Sequence, residues 1–267
     1  MKREVDVLVL SDLHLGTYGC HASELLSYLS QVEPKMVVLN GDIIDIWHFN
    51  KRYFPTEHLQ VINYFLKMAG NGTKVFYITG NHDEKLREFG KLKIANLLLC
   101  NQLQLVLNDK KCWFFHGDVF DASVNYSKWI AKLGGFSYNL LIRINKIINN
   151  CRSYFGFEKI SFSQKIKYKV KEAVKFIQNF EELAVKAALQ KGMDYVICGH
   201  IHRPIIRTEK YFGEEITYLN SGDWVEHLTS LEYTDGKWSI YEHDQNTPII
   251  KAVPIEADII STYMVFS

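Results

Sequence analysis

The sequence predicts a layered α/β fold, and three observations carry that prediction. Short apolar β-type runs alternate with amphipathic helical patterns. Five of the runs end in carboxylate, imidazole or amide groups. A basic stretch without convincing strands, Asp121 to Gly192, interrupts the alternation. At 267 residues, 47% of them apolar, the chain is within range of one α/β domain with an insertion and can bury a substantial core.

The elements follow in order. Val5 to Leu10 is apolar throughout, as a buried strand is. His21 to Val32 sets Leu25, Leu26 and Leu29 at helical spacing, with Pro34 beyond its end. Met36 to Leu39 reads as a second buried strand. Pro55 to Ala69 reads as a helix with Pro near its first turn and Gly70-Asn71-Gly72 stopping it; Leu59, Ile62, Phe65 and Leu66 form its expected apolar face. Lys74 to Thr79 is the third strand, and Leu103 to Leu107 and Lys111 to Phe115 are two more, joined at Asn108-Asp109.

In the interrupting stretch, Leu140, Leu141, Ile144, Ile147 and Ile148 fit one helix face, and Ile166, Val170, Val174 and Ile177 another. Strands return at Tyr195 to Cys198, Ile205 to Thr208 and Ile216 to Leu219. A hairpin follows from His227 to Tyr233 and Trp238 to Tyr241, turning at Asp235-Gly236. The expected organisation is a body of residues 1–120 and 193–267 with a helical cap insertion at 121–192.

The net charge of +1 points to neither nucleic acid nor membrane, but it conceals an asymmetry. The insertion holds 13 Lys/Arg against 5 Asp/Glu, so it is +8 on a body of −7. Five cysteines (Cys20, Cys100, Cys112, Cys151, Cys198) without a C-x-x-C pair suggest reduced thiols in a cytosol rather than a disulfide framework or thiolate zinc. "MKREVDVLVL" leads directly into "SDLHLG" with no small-residue cleavage site and reads as a first strand, not a signal peptide. No apolar run approaches the ~18 residues of a spanning helix.

The chemistry lies at the strand ends. The first strand runs into Asp12-Leu13-His14, the second into Asn40-Gly41-Asp42 and on to Asp45, and the third into Gly80-Asn81-His82-Asp83. "CWFFHGD" ends in His116-Gly117-Asp118, and "YVICGHIH" in His200-Ile201-His202. The carboxyl edge of an α/β sheet is where ligands bind. If the backbone stays extended, Asp12 and His14 share a side, as do His200 and His202. Imidazoles, carboxylates and one amide suit Mn, Fe or Zn better than Ca. The absence of cysteine disfavours structural zinc. Seven ligands exceed one tetrahedral shell and fit two metals sharing a carboxylate, with Asp42 on the central strand the natural bridge. Such a pair lowers the pKa of a water and clamps a phosphoryl group. Each motif alone is weak; their joint occurrence after successive strands is not.

"SDLHLG", "NGDIID", "GNHD", "HGD" and "GHIHRP" together resemble the motif set of the calcineurin-like metallophosphoesterases over the whole body. The resemblance implies a two-sheet β-sandwich flanked by helices. It implies that Asp12, His14, Asp42 and His202 hold one metal and Asp42, Asn81, His116 and His200 the other. His82 would face the phosphate and assist charge development or leaving-group departure, with Asp83 orienting it; Asn81, His82 and Asp83 are thus the candidate catalytic residues. The expected cofactors are two divalent transition-metal ions, manganese ahead of iron or zinc.

Within that superfamily, the helical insertion and "NSGDW" resemble the UDP-2,3-diacylglucosamine diphosphatase group of lipid A synthesis. This implies cleavage of a UDP-linked diacyl sugar to UMP and the acylated sugar 1-phosphate, with the cap taking up acyl chains. It also implies a cytoplasmic enzyme in peripheral contact with the inner membrane through the basic insertion. Characterised members of that group carry Arg where this chain has His82. The departure leaves nucleotides or other phosphoesters open as substrates, and a metal-binding scaffold without catalysis is a third reading.

Several assignments stay two-sided. Lys165, Lys167, Lys169 and Lys171 form either a basic wall for a diphosphate or membrane, with Lys165 and Lys169 on one face, or an ordinary solvated face. The apolar run beginning at Trp129 either receives acyl chains or packs the cap onto the body. Asp45 is expected behind a metal-bound imidazole; Asp118 and Asp223 are either that or turn carboxylates. His21, His48, His58, His227 and His243 are taken as ordinary surface or core histidines, although His48, which follows the Asp45 loop, could also line the cleft.

Overall fold

The computed structural model describes residues 2–47, 53–123, 162–211 and 213–244. Three α-helices and twelve strands are defined among them: α1 (Ala22–Gln31), α2 (Thr56–Gly70), α3 (Phe162–Gln190), β1 (Arg3–Leu10), β2 (Val32–Asn40), β3 (Lys74–Ile78), β4 (Leu92–Ile94), β5 (Leu97–Cys100), β6 (Leu103–Leu107), β7 (Lys110–Phe114), β8 (Tyr195–Cys198), β9 (Ile205–Tyr211), β10 (Glu214–Asn220), β11 (Thr229–Thr234) and β12 (Lys237–Glu242). A seven-stranded sheet has the order β12-β11-β1-β2-β3-β5-β4, and a five-stranded sheet the order β6-β7-β8-β10-β9. The two sheets flanked by helices are the α/β fold class the sequence predicts.

Side-chain alternation builds three cores. On one face of the large sheet, Leu8, Leu10, Val37, Leu39, Val75 and Tyr77 meet Leu25, Leu29, Val61 and Phe65 of α1 and α2. From its other face Val7, Val9, Val38 and Ile78 meet Cys112, Phe114, Ile197 and Leu219 of the small sheet. The far face of the small sheet, with Trp113, Phe115, Val196, Cys198 and Tyr218, is covered by Phe180, Ala184, Val185 and Ala188 of α3. β1, β2 and β3 run parallel, as do β7 and β8, so five carboxyl ends gather at one edge of the double layer.

Three expectations need correction. The buried face of α2 is His58, Val61, Phe65 and Ala69, one step around the helix from the face expected, while Leu59 is 58% and Leu66 54% exposed. The shift brings His58 against the loop after β1, where its Nδ1 accepts the Gly16 amide proton at 2.8 Å. On α3 the buried side chains, among those described, lie between Phe180 and Ala188, and Val174 is 48% exposed; Ile166 and Val170 of the expected face lie outside the described side chains. β4 and β5 were not expected from the sequence; they form the edge of the large sheet, β5 parallel to β3 and β4 antiparallel to β5. Residues 124–161, including Trp129 and the helix face around Leu140, lie outside the described residues, as does His48. Lys165 and Lys169 fall in the opening turns of α3.

Among the described residues, no helix is long and apolar enough to cross a membrane. Cys20, Cys100, Cys112 and Cys198 are free, and burial pushes the Cys20 and Cys112 thiols up to about 12.

Candidate metal centre

Backbone hydrogen bonds first draw the strand-end loops together. Asp12 N donates to Gly41 O at 3.0 Å and His14 N to Asp42 O at 3.0 Å, tying the loop after β1 to that after β2. His82 O accepts from Ile46 N at 3.0 Å, tying in the loop after β3. Gly199 N donates to His116 O at 3.0 Å, joining the ends of β7 and β8. Across the sheets, His200 N donates to Asp12 Oδ2 at 3.0 Å.

The extended geometry expected for Asp12-x-His14 and His200-x-His202 is absent. Asp12, His14, Asp42, His200 and His202 all have left-handed backbones, with φ of 53°, 50°, 53°, 68° and 53°. Such conformations are costly for residues with a β-carbon and persist where the surroundings over-determine them. Here each loop turns sharply at its strand end and aims a ligand-type side chain back over the sheet edge.

Those side chains assemble into two groups of three. Asp12, His14 and His202 place one donor atom each within 4.8 Å of one another, and so do Asp42, His116 and His200. Asp42 links them: its Oδ2 is 3.3 Å from His116 Nε2 and 3.9 Å from His14 Nε2. Asn81 Oδ1 is 3.2 Å from His116 Nε2. The seven residues singled out from the sequence thus meet at one place. A third group, His14, Asp45 and His82, adjoins them.

A surrounding layer fixes the rings. His116 Nδ1 lies 3.0 Å from the Asn40 carbonyl, which can only accept, so this nitrogen carries a proton and Nε2 faces Asp42. Asp45 Oδ2 lies 3.4 Å from His14 Nδ1, the role expected of it. Asp223 Oδ2 stands 3.8 Å from His202 Nδ1 and 2.6 Å from Nδ1 of His227, a surface histidine that pairs with the same carboxylate. Asp118 takes a different partner, Arg87 Nη2 at 2.8 Å. Asp121, which marks the start of the insertion in the sequence, puts Oδ1 2.7 Å from His200 Nε2.

Asp83 is not the carboxylate that faces His82. It is fully buried and accepts from Gly80 N at 2.6 Å, Ile43 N at 3.0 Å and the Tyr77 hydroxyl at 2.7 Å, so it braces two loops. The partner of His82 is Asp45, 2.9 Å from Nδ1. Trp47 lies over the same imidazole at 4.7 Å between ring centroids. Sequence adjacency suggested Asp83; the turn after β3 points it inward instead.

The charges interlock. Burial opposes ionisation of Asp42, yet His116, His14 and His82 hold its carboxyl well below the usual range. Asp12 is likewise lowered against its burial by His202. Burial would depress His202, but Asp12 and Asp223 raise it to about 9. The fully buried His116 is raised well above the ordinary value by Asp42, again against burial. A pocket of buried carboxylates and imidazoles is stable without a cation only if the imidazoles are protonated. His14 Nε2 is buried and has no hydrogen-bond partner among the described residues. Clustered nitrogen and oxygen donors with an orphaned imidazole nitrogen fit divalent transition-metal ions.

A model of the calcineurin-like phosphoesterase family matches residues 5–204. The UDP-2,3-diacylglucosamine hydrolase of Aliivibrio fischeri (strain MJ11) is 27% identical over 251 residues, 89% of this chain and 98% of that protein. That of Aeromonas salmonicida (strain A449) is 25% identical over 247 residues, 87% of this chain and 91% of that protein. That of Stenotrophomonas maltophilia (strain K279a) is 22% identical over 240 residues, 87% of this chain and 96% of that protein.

Proposed function

The chain belongs to the calcineurin-like phosphoesterase family, and from that premise we propose that it cleaves the diphosphate bond of UDP-2,3-diacylglucosamine, giving UMP and 2,3-diacylglucosamine 1-phosphate. It is a metal-dependent hydrolase. The observation that carries the reading is the pair of donor groups joined through Asp42 at the meeting of both sheets. The lipid-linked substrate is supported by the hydrolases of that name, which the chain parallels over most of their length.

Asp12, His14, Asp42 and His202 would hold one divalent ion, and Asp42, Asn81, His116 and His200 the other. When bound, the two ions lower the pKa of a water and draw charge from the phosphoryl oxygens. The protein's own contribution is placement. Asp42 and Asp12 accept backbone N–H donors as well as facing imidazoles, so their rotamers are set before any ion arrives. His82, held through Nδ1 by Asp45 and covered by Trp47, stands beside the two groups with an N–H to offer a leaving oxygen. We place the enzyme in the cytoplasm against an anionic membrane surface, which the +8 insertion suits.

The test is incubation of manganese-loaded protein with UDP-2,3-diacylglucosamine and assay for UMP. Release of UMP is expected. Turnover of simple phosphodiesters without any UMP would leave a metallophosphoesterase of another substrate, the alternative that His82 in the "GNHD" turn keeps open.

A further inference from the structure

The loop from β8 to β9 delivers one histidine to each donor group and does so with two consecutive left-handed turns, at His200 and His202. Its start is well held: Asn220 Nδ2 donates to Gly199 O at 2.7 Å, and the Gly199 and His200 amides are both bonded. Past His202 the chain is held from outside the sheets, by α3. Glu181 on that helix is 1% exposed, and its two oxygens are taken by different guanidiniums. Arg203 Nη1 reaches Oε1 at 3.2 Å, and Arg207 Nη1 reaches Oε2 at 2.6 Å.

The preceding residue, Phe180, is fully buried and lies 6.0 Å from the His200 ring, centroid to centroid. It also fills the space beside Gly117, where a β-carbon would meet its ring at 2.4 Å. Two successive residues of α3 therefore grip the two loops that carry His116, His200 and His202. A buried carboxylate needs a charged partner and hydrogen bonds to its remaining lone pairs; Arg207 is the nearer of the two guanidiniums. The second partner, Arg203, is the residue that follows His202 directly.

We propose that Glu181 is a positioning residue: by tethering Arg203 to α3 it fixes the His200–His202 turn in the conformation that presents both imidazoles to the metal centre. The inference rests on the two-ion reading above. It makes α3, the helix by which the insertion returns to the body, a structural arm of the metal centre.

The test uses the full chain stripped of metal and titrated with Mn2+, with turnover of a simple phosphodiester and Tm measured alongside. Glu181→Gln and Arg203→Met should weaken Mn2+ binding about tenfold, the low end for an outer partner of a ligand. Both should lower kcat more than they raise KM. Arg207→Met removes the other half of the network; it should lower Tm yet hold Mn2+ affinity within about twofold. Arg203→Lys should recover part of the affinity. If Arg203→Met and Arg207→Met shift Mn2+ affinity and Tm in parallel, or Arg203→Met keeps parental affinity, the inference fails and Glu181 is only a buried ion-pair anchor. If Glu181→Gln does not fold, the two arginine variants decide alone. A parent chain that binds no Mn2+ overturns the two-ion reading itself and this inference with it.

Discussion

Gly80 offers a sharp test because its role is purely steric. An ideal β-carbon there would lie 2.2 Å from Asp42 Oδ1 and 2.5 Å from Asp42 N. Ordinary contact begins near 3.4 Å, so Gly80→Ala must push the Asp42 carboxylate and the "GNHD" turn apart by about 1.2 Å. Neither side can yield by a rotamer change alone. Asp42 N is backbone, and Asp42 Oδ1 also accepts the His82 amide proton at 2.8 Å. Overpacking of this kind costs about 1–3 kcal/mol of stability. The functional cost should be larger, because a displacement of about 1 Å at a reacting centre can cost about a hundredfold in rate. The assay is phosphodiester turnover with Mn2+ at saturation, with Tm measured on the same sample. The expected result is folded protein with kcat down at least about thirtyfold. A Gly80→Ala protein that keeps activity within about threefold of the parent would refute the claim that Asp42 has no room to move.

Further outcomes follow from the same geometry. Stripped of metal, the protein should be most heat-stable between about pH 4 and 6.5. His202, raised to about 9 from 6.5, contributes stability that is complete below its ordinary value and lost as pH rises through 9. Asp12, held low, contributes above its ordinary 3.8 and loses that contribution on acidification. Manganese should abolish the alkaline decline and release protons on binding, which calorimetry in buffers of different ionisation enthalpy would detect. His82→Ala should leave two equivalents of manganese bound, read by elemental analysis, while lowering kcat about a hundredfold or more. In α2, Phe65→Ala should cost about 3–5 kcal/mol in urea unfolding, whereas Leu66→Ser should stay within about 0.5 kcal/mol. The reverse order would contradict the observed helix face.

The layered α/β class and the seven donor residues were legible because strand ends are marked twice, by an apolar run and by the polar group that stops it. Asp12 and His14 needed no tertiary knowledge to be suspected. What the sequence concealed depends on rotation and on distance. The α2 face moved because Leu59 and Leu66 fit an apolar stripe as well as Val61 and Ala69 do, and only packing against α1 chooses between them. Asp83 misled because adjacency to His82 says nothing about which way a tight turn aims a carboxylate, and Asp45 lies 37 residues upstream of its true partner. Asp121 read only as a boundary and Glu181 drew no reading at all; nothing local to them announces His200 or Arg203. β4 is only three residues long, too short for alternation to register.

The ligand set also constrains how the protein comes to life. The two donor groups that Asp42 links each draw on both sheets, and each is completed by a histidine at position 200 or 202. A growing polypeptide on the ribosome therefore has no finished pair of ion-binding groups until position 202 has been made. Metal cannot seed the early stages of folding; it can only lock together two sheets that have already found one another, and a message cut short before β8 yields a product with half a cage on each side.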